Sequence, residues 1–126
     1  MSKSRLSQMS IDELLQRHAD LSTEQGRALE GFSSMAKVNR FGQQIFDINA
    51  ELESRPGDQR LALTKLFSSL DPWVRLNAAR IVMNIAAAEA RPVIQQIADS
   101  KNYPVAGHPG MCLSFFDGEL SDLRPR

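Results

Sequence analysis

The sequence predicts an all-α fold made of a short stack of antiparallel helical hairpins, with about six helices. Three observations favour this class. Apolar residues recur at steps of three and four in most segments, as on the buried face of a helix. Turn-forming residues such as Gly, Pro and Asp separate these segments, and no segment alternates apolar and polar residues for long enough to predict a strand. With 42% apolar and 24% charged residues, residues 1–126 fit a single soluble domain.

The first long helix is predicted to begin at Ile11. Ser10 and Glu13 have the spacing of a capping box, in which each side chain binds the other residue's backbone N–H. The apolar stripe continues to about Gly31, where a glycine is suited to end a helix. Residues 1–9 lack the pattern and are expected to form a disordered tail.

Two polar residues, His18 and Gln25, fall on the inward stripe of this helix. We expect His18 to be a core or edge residue with a hydrogen-bond partner, because buried polar groups are nearly always paired. The alternatives are a ligand-binding histidine or a pH switch. The sequence also leaves open that both side chains line a shallow pocket.

A second helix is predicted from about residue 34 to residue 54. Its inward residues alternate steps of three and four, which is the spacing of a packing seam; this helix-two seam consists of Val38, Phe41, Ile45, Ile48 and Leu52. Met35 and Phe46 lie beside the seam and could meet a third element. If the seam is partly exposed, it would support a homodimer.

A third and a fourth helix are predicted to form a hairpin. Asp58 is a suitable cap for the third helix, which runs to about Ser69. Asp71 can cap the fourth helix, and Pro72 suits its first position, where the missing N–H costs nothing. The fourth helix is predicted to reach about Ala87. Because the connection is so short, the two helices should be antiparallel neighbours.

The pattern weakens after this hairpin. A fifth helix is predicted with Pro92 in its first turn and an end at residues 102–104; it includes Val93, Ile94, Ile97 and Ala98. Residues 107–110 are interpreted as a tight turn, with a weak anion site as the alternative. A last helix is predicted around residues 111–120, and residues 122–126 are expected to be a disordered tail.

The stretch from Leu63 to Val82 resembles one HEAT repeat, a helical hairpin with a turn aspartate followed by Val-Arg and a paired Ala. These features are Asp71, Val74, Arg75, Ala78 and Ala79. The resemblance implies a right-handed stack of hairpins in which Asp71 and Arg75 are ladder residues that join neighbouring hairpins. The whole chain is also similar to a small bacterial family of HEAT-like domains with no assigned activity.

Charge and cysteine content argue against several function classes. Fifteen Lys plus Arg balance fifteen Asp plus Glu, so nucleic-acid binding is not favoured, and no apolar run is long enough to span a membrane. The single cysteine, Cys112, cannot form an internal disulfide, which favours the cytoplasm. Cys112 and His108 are two ligands where a structural zinc site needs four, so we expect no metal and no cofactor. Cys112 is expected to be a core residue rather than a nucleophile.

Helical hairpin stacks generally act by presenting a surface to a partner, so analogy with this fold implies a non-catalytic protein-protein interaction module, such as an adaptor or an antitoxin-like inhibitor, with an unidentified protein partner. The expected partner surface is the turn and inner edge of the fourth helix, formed by Asp71, Trp73, Arg75, Asn77 and Arg80. Trp73 is either a packing plug between hairpins or an exposed anchor for the partner. The alternative function is a nucleic-acid-binding or DNA-base-repair-like HEAT domain.

Overall fold

The computed structural model describes residues 3–31 and 34–100, and these residues form helices with no strand. The all-α prediction is therefore confirmed. Within these two ranges, five α-helices and one 3₁₀ helix follow one another: α1 (Lys3–Leu6), α2 (Ile11–Glu30), α3 (Met35–Ser54), the 3₁₀ helix (Gln59–Ser68), α4 (Pro72–Val82) and α5 (Ala87–Asp99). None of the helices in these two ranges is long and apolar enough to cross a membrane.

Helix α1 corrects the expectation of a disordered tail before Ile11. Leu6 is buried in the main apolar core, and the Arg55 side chain holds the segment from the far end of α3. Nη2 of Arg55 donates to the backbone carbonyls of Leu6 at 3.0 Å and Met9 at 2.6 Å. Nε of Arg55 donates to Oε2 of Glu51 at 2.8 Å. A contact between residues distant in sequence, which no local pattern predicts, therefore orders this segment.

Helices α2 and α3 begin where the sequence predicts. The Glu13 backbone N–H donates to Oγ of Ser10 at 3.1 Å, and the Ser10 backbone N–H donates to Oε1 of Glu13 at 3.0 Å, which completes the capping box. Ser34 caps α3, and Gly31 ends α2.

The helix-two seam is buried inside the protomer, where α3 packs along α2. Val38, Ile45, Ile48 and Leu52 are all buried, and Phe41 is partly buried against them. The condition for a homodimer through this seam, its partial exposure, is therefore not met, because α2 already covers most of its apolar surface. The exposed residues of α3 lie on the opposite face.

The predicted third helix is a 3₁₀ helix rather than an α-helix. In a 3₁₀ helix, residues three apart lie above one another, and Leu63 and Leu66 contact the core in this way. The predicted cap is confirmed, because Oδ1 of Asp58 accepts from the Arg60 backbone N–H at 3.2 Å. Asp58 has a φ of 51°, in the left-handed region, and the Arg60 side chain binds both of its carboxylate oxygens.

Helix α4 is capped by Asp71 as predicted, with the Trp73 backbone N–H donating to Oδ1 at 2.9 Å. It ends at Val82 and not near Ala87. After Val82, the backbone N–H groups of Asn84 and Ile85 donate to the carbonyls three residues earlier. This tighter turn redirects the chain so that α5 packs against α4, and Met83 is buried there.

Helix α5 contains Pro92 in its interior, not in its first turn. A proline there cannot donate to the carbonyl four residues earlier, on Ala88. Both residues are exposed, so water can satisfy that carbonyl. The predicted turn at residues 107–110, the last helix, the tail at 122–126, and the assignments of His108 and Cys112 lie outside the described residues.

Candidate functional site

A polar groove of about 160 Å³ lies between α2, α3 and α4. It is lined by Gln25, Gly42, Ile45, Asn49, Asn77, Arg80 and Ile81. Three amides and one guanidinium provide hydrogen-bond donors and acceptors, while Gly42 and the two isoleucines provide apolar surface. Together these side chains can donate hydrogen bonds, accept them and pack against an apolar group.

A hydrogen-bond network beneath the groove fixes its amides. Nδ2 of Asn77 donates to Oγ of Ser22 at 3.0 Å and to Oε1 of Gln25 at 3.2 Å. Nε2 of Gln25 donates to the carbonyl of Val38 at 3.4 Å, and Oγ of Ser22 donates to the carbonyl of His18 at 2.8 Å. The network connects all three helices, so the polar groups of the groove are preorganised.

His18 lies deeper than the groove and does not line it. It is fully buried, and its Nε2 lies 3.0 Å from Oδ1 of Asn49, so Nε2 must carry the proton because an amide oxygen can only accept. Nδ1 is buried and has no hydrogen-bond partner in the described part of the chain. Burial lowers the pKa of His18 from 6.5 to about 4, although the hydrogen bond that His18 donates to Asn49 opposes this shift. The interpretation of His18 as a core histidine with a partner is confirmed.

This buried histidine should make stability depend on pH. Between pH 6.5 and about 4 the unfolded chain binds a proton at His18 and the folded chain does not, so the free energy of unfolding should fall as the pH falls. From pH 6.5 to pH 5 we expect a loss of roughly 2 kcal/mol relative to a His18→Gln variant, which has no charge to gain. Urea unfolding of both proteins across this range measures the difference. Equal pH dependence in the two proteins would contradict a neutral His18.

Trp73, the single tryptophan, is a packing plug. Its side chain is 5% exposed, and Nε1 donates to Oε1 of Glu30 at 2.8 Å. The indole lies directly over Gly26 of α2, at a position that no side chain could share. Leu76 and Ile97 complete this second apolar cluster. Trp73 is therefore not accessible to a partner, which corrects its place in the predicted surface.

The two implied ladder residues behave differently. Asp71 does join neighbouring helices, because its Oδ2 accepts from Oγ1 of Thr23 on α2 at 2.7 Å. Arg75 does not join neighbouring helices. Its Nε atom is buried, and within residues 3–31 and 34–100 this atom has no hydrogen-bond partner. Of the five residues in the predicted surface, the structure brings Asn77 and Arg80 together in the groove and uses Asp71 and Trp73 inside the fold.

Sequence reasoning did not place the exposed face of α3 in the site. Met35 and Phe46 are 63% and 65% exposed and are separated by about three helical turns, which places them on one face. Asn39 and Ala50 lie on the same face and are also exposed. We call these four residues the α3 ridge. The signal in the sequence was the position of Met35 and Phe46 beside the buried seam.

The groove and the α3 ridge form one continuous surface. Phe46 lies one turn from Gly42 and one turn from Asn49, and both of these residues line the groove. The surface thus combines an exposed aromatic residue, fixed amides and the guanidinium of Arg80. Other exposed large apolar residues, Leu61 and Leu70, lie in or just after the 3₁₀ helix.

Comparisons with known proteins agree with the fold. Residues 12–117 match the family model described as Domain of unknown function (DUF2019). The crystal structure of the protein RPA1889 from Rhodopseudomonas palustris CGA009 is similar, with a TM-score of 0.85 and 36% sequence identity. That similarity covers 96% of this chain and 98% of that chain. No protein with a curated description is significantly similar in sequence.

Proposed function

Since this chain belongs to the DUF2019 family, whose description names no activity, we propose its function from its surface: a non-catalytic protein-binding module, acting as an adaptor or an antitoxin-like inhibitor. The proposed contact surface is the α3 ridge together with the adjoining groove. One observation carries the proposal, namely that Phe46 is 65% exposed at the edge of a preorganised polar groove.

The residue types of this surface support protein binding. Aromatic residues, Met and Arg are enriched at the centres of protein interfaces, and Phe46, Met35 and Arg80 are of these types. A flat aromatic side chain beside a groove allows a partner to bury an apolar group on the ridge and place a polar side chain in the groove. The groove, at about 160 Å³, has room for a single side chain.

The chemistry of the groove suits a partner side chain that can meet both its polar groups and the cation of Arg80, such as a carboxylate, an amide or an aromatic ring. Arg80 carries a positive charge that a carboxylate complements, and the fixed amides of Asn49 and Asn77 offer both donors and acceptors. Because the network below already orients Asn77, little side-chain entropy is lost when a partner binds there.

The relation to HEAT repeats, a bacterial source and a location in the cytoplasm are part of the same proposal. The relation to HEAT repeats is supported by the packing of the 3₁₀ helix on α4 and by the link from Asp71 to α2. A bacterial protein provides the similar crystal structure, which supports a bacterial source. The single cysteine supports action in the cytoplasm.

Nucleic-acid binding is the second candidate function. Two exposed cations, Lys37 and Arg40, favour it, and within the described ranges neither forms an ion pair. The formal net charge of zero opposes it, because phosphate contacts depend on an excess of positive charge. A steeply salt-dependent affinity for duplex DNA is the result that this alternative requires.

A photo-crosslinking amino acid at position 46 tests the protein-binding proposal. We expect irradiation of native cells to join this variant to one protein species, since Phe46 would contact the partner directly. The matched control carries the crosslinker at position 70, where Leu70 is 97% exposed and belongs neither to the α3 ridge nor to the lining of the groove. Crosslinks of equal yield at both positions, or at position 70 alone, would contradict the proposed surface.

A further inference from the structure

We propose that the α3 ridge binds the α3 ridge of a second copy of this chain, with the two helices antiparallel. The inference rests on the proposed function and names the partner of the same surface. Two properties of α3 carry it: the distribution of charge along the helix, and the position of Phe46 relative to Gly42.

The charged residues of α3 are distributed along the helix in the opposite order to the one that the helix dipole favours. Lys37 lies in the first turn, and Glu51 and Glu53 lie in the last turn, whereas helices favour acidic residues at the N-terminus and basic residues at the C-terminus. No acidic residue is present in the first turn and no basic residue in the last. An antiparallel helix of the same sequence compensates this pattern, since its acidic end lies beside the basic end of the first.

Ion pairs within the protomer leave one end of α3 uncompensated. Glu51 pairs with Arg55 at 2.8 Å, and Glu53 pairs with Arg60 at 3.1 Å. At the opposite end, Arg40 is exposed and has no ion pair in the described part of the chain. The uncompensated positive charge is therefore the one that an acidic group from another molecule would meet.

Arg40 and Asp47 are placed to pair across a two-fold axis. They are separated by about two turns and so lie on one flank of the ridge. Asp47 is partly exposed and accepts a hydrogen bond from Nε2 of Gln43 at 3.1 Å. In an antiparallel pair centred near residue 44, the middle of α3, Arg40 of each copy lies beside Asp47 of the other. Because of the two-fold symmetry, the ion pair between Arg40 and Asp47 occurs twice in the dimer.

The same centre places Phe46 of each copy beside Gly42 of the other. Gly42 lines the groove with Ile45 and Ile81, so a phenyl ring seated there meets apolar surface and approaches the guanidinium of Arg80. A glycine at this position lets the helices approach closely. Asn39 and Ala50, which are also small and exposed, allow the same approach on either side.

The surface area that the two copies bury determines how strong the dimer is expected to be. Helix α3 has 20 residues and is about 30 Å long. One exposed face of this length contributes on the order of 500 Å² per copy, below the roughly 800 Å² of a standard interface. We therefore expect a reversible dimer with a dissociation constant in the micromolar range or weaker.

Sedimentation velocity of the full chain from about 1 μM to about 1 mM, bracketing that range, tests the proposal. The wild type should shift from monomer to dimer as concentration rises, and Phe46→Ser should remain monomeric. Arg40→Glu and Asp47→Arg should each weaken the dimer by about tenfold, because each replaces two ion pairs by two repulsions. The double variant Arg40→Glu/Asp47→Arg should restore wild-type dimerisation. Leu70→Ser, at an exposed leucine outside the surface, is the matched control.

Each other result overturns the inference. A wild type that stays monomeric throughout excludes the dimer, and a dimer insensitive to Phe46→Ser uses another face. If the double variant does not restore dimerisation, Arg40 of one copy does not pair with Asp47 of the other, and the proposed arrangement is excluded. Thermal melts show that each variant is folded. The proposed function is judged separately, because a crosslink from position 46 to a different protein supports it even if the chain is monomeric.

Discussion

Gly26→Ala is expected to destabilise the protein by about 2–4 kcal/mol, although alanine favours helices by about 1 kcal/mol over glycine. A Cβ at Gly26 would lie 2.8 Å from Nε1 of Trp73 and closer still to two ring carbons. The indole cannot move away, since it is buried against Leu76 and Ile97 and hydrogen-bonded to Glu30. The steric cost therefore exceeds the gain in helix propensity. Urea unfolding gives the free energy, and the emission of the single tryptophan should shift to the red.

Gly42→Ala is the matched control for this result. Gly42 also lies within a helix, but its Cβ would meet only the end of the Gln25 side chain, at 3.1 Å, where a shift of a few tenths of an ångström relieves the contact. We expect unchanged or slightly higher stability there. A Gly26→Ala/Trp73→Leu double variant should lose less than the sum of the two single changes, because the clash disappears with the indole. If Gly26→Ala and Gly42→Ala have equal effects, the close contact with Trp73 does not determine the identity of residue 26.

Arg55→Met is the second change with a large expected effect, a loss of about 2–4 kcal/mol. Methionine retains most of the volume but leaves the carbonyls of Leu6 and Met9 and the carboxylate of Glu51 without their donor. Both members of the Arg55–Glu51 pair are less than one-fifth exposed, so water replaces these bonds poorly. The N-terminal segment should then detach, and hydrogen exchange of residues 3–9 should accelerate more than that of α4.

Lys65→Met provides the comparison for the loss of an exposed ion pair. Lys65 lies 3.8 Å from Asp12, and both side chains are mostly exposed. We expect a change of less than about 1 kcal/mol, since exposed pairs contribute little. An Arg55→Met protein as stable as Lys65→Met, with slow exchange at residues 3–9, would show that Arg55 does not hold the segment in place.

The starts of α2, α3 and α4 were predictable because they are decided within one turn. Ser10 and Glu13 satisfy each other's backbone N–H groups, and Asp71 with Pro72 begins α4 by the same local logic. The buried face of α3 was predictable too, because steps of three and four place its apolar residues on one side. A local pattern shows that a face is buried, but it does not show what covers it.

The candidate site could be predicted only in part for this reason. Asn77 and Arg80 were selected for their position near the turn, and the structure does bring them into one groove. Trp73 was selected in the same way but is covered by α2, through a glycine 47 positions earlier in the sequence. The exposed Phe46 was visible in the sequence, yet its importance depends on which helices flank it.

The sequence by itself determined the helical class, the capped starts of α2, the 3₁₀ helix and α4, and the division of α2 and α3 into buried and polar faces. These depend on backbone hydrogen bonds and apolar spacing within a few residues, so local sequence suffices. Tertiary structure alone decided that Leu6 joins the core, that Pro92 lies inside α5, that Trp73 is a plug and that the α3 ridge stays exposed. Each of these depends on contacts between segments distant in sequence, where shape and burial outweigh local preference.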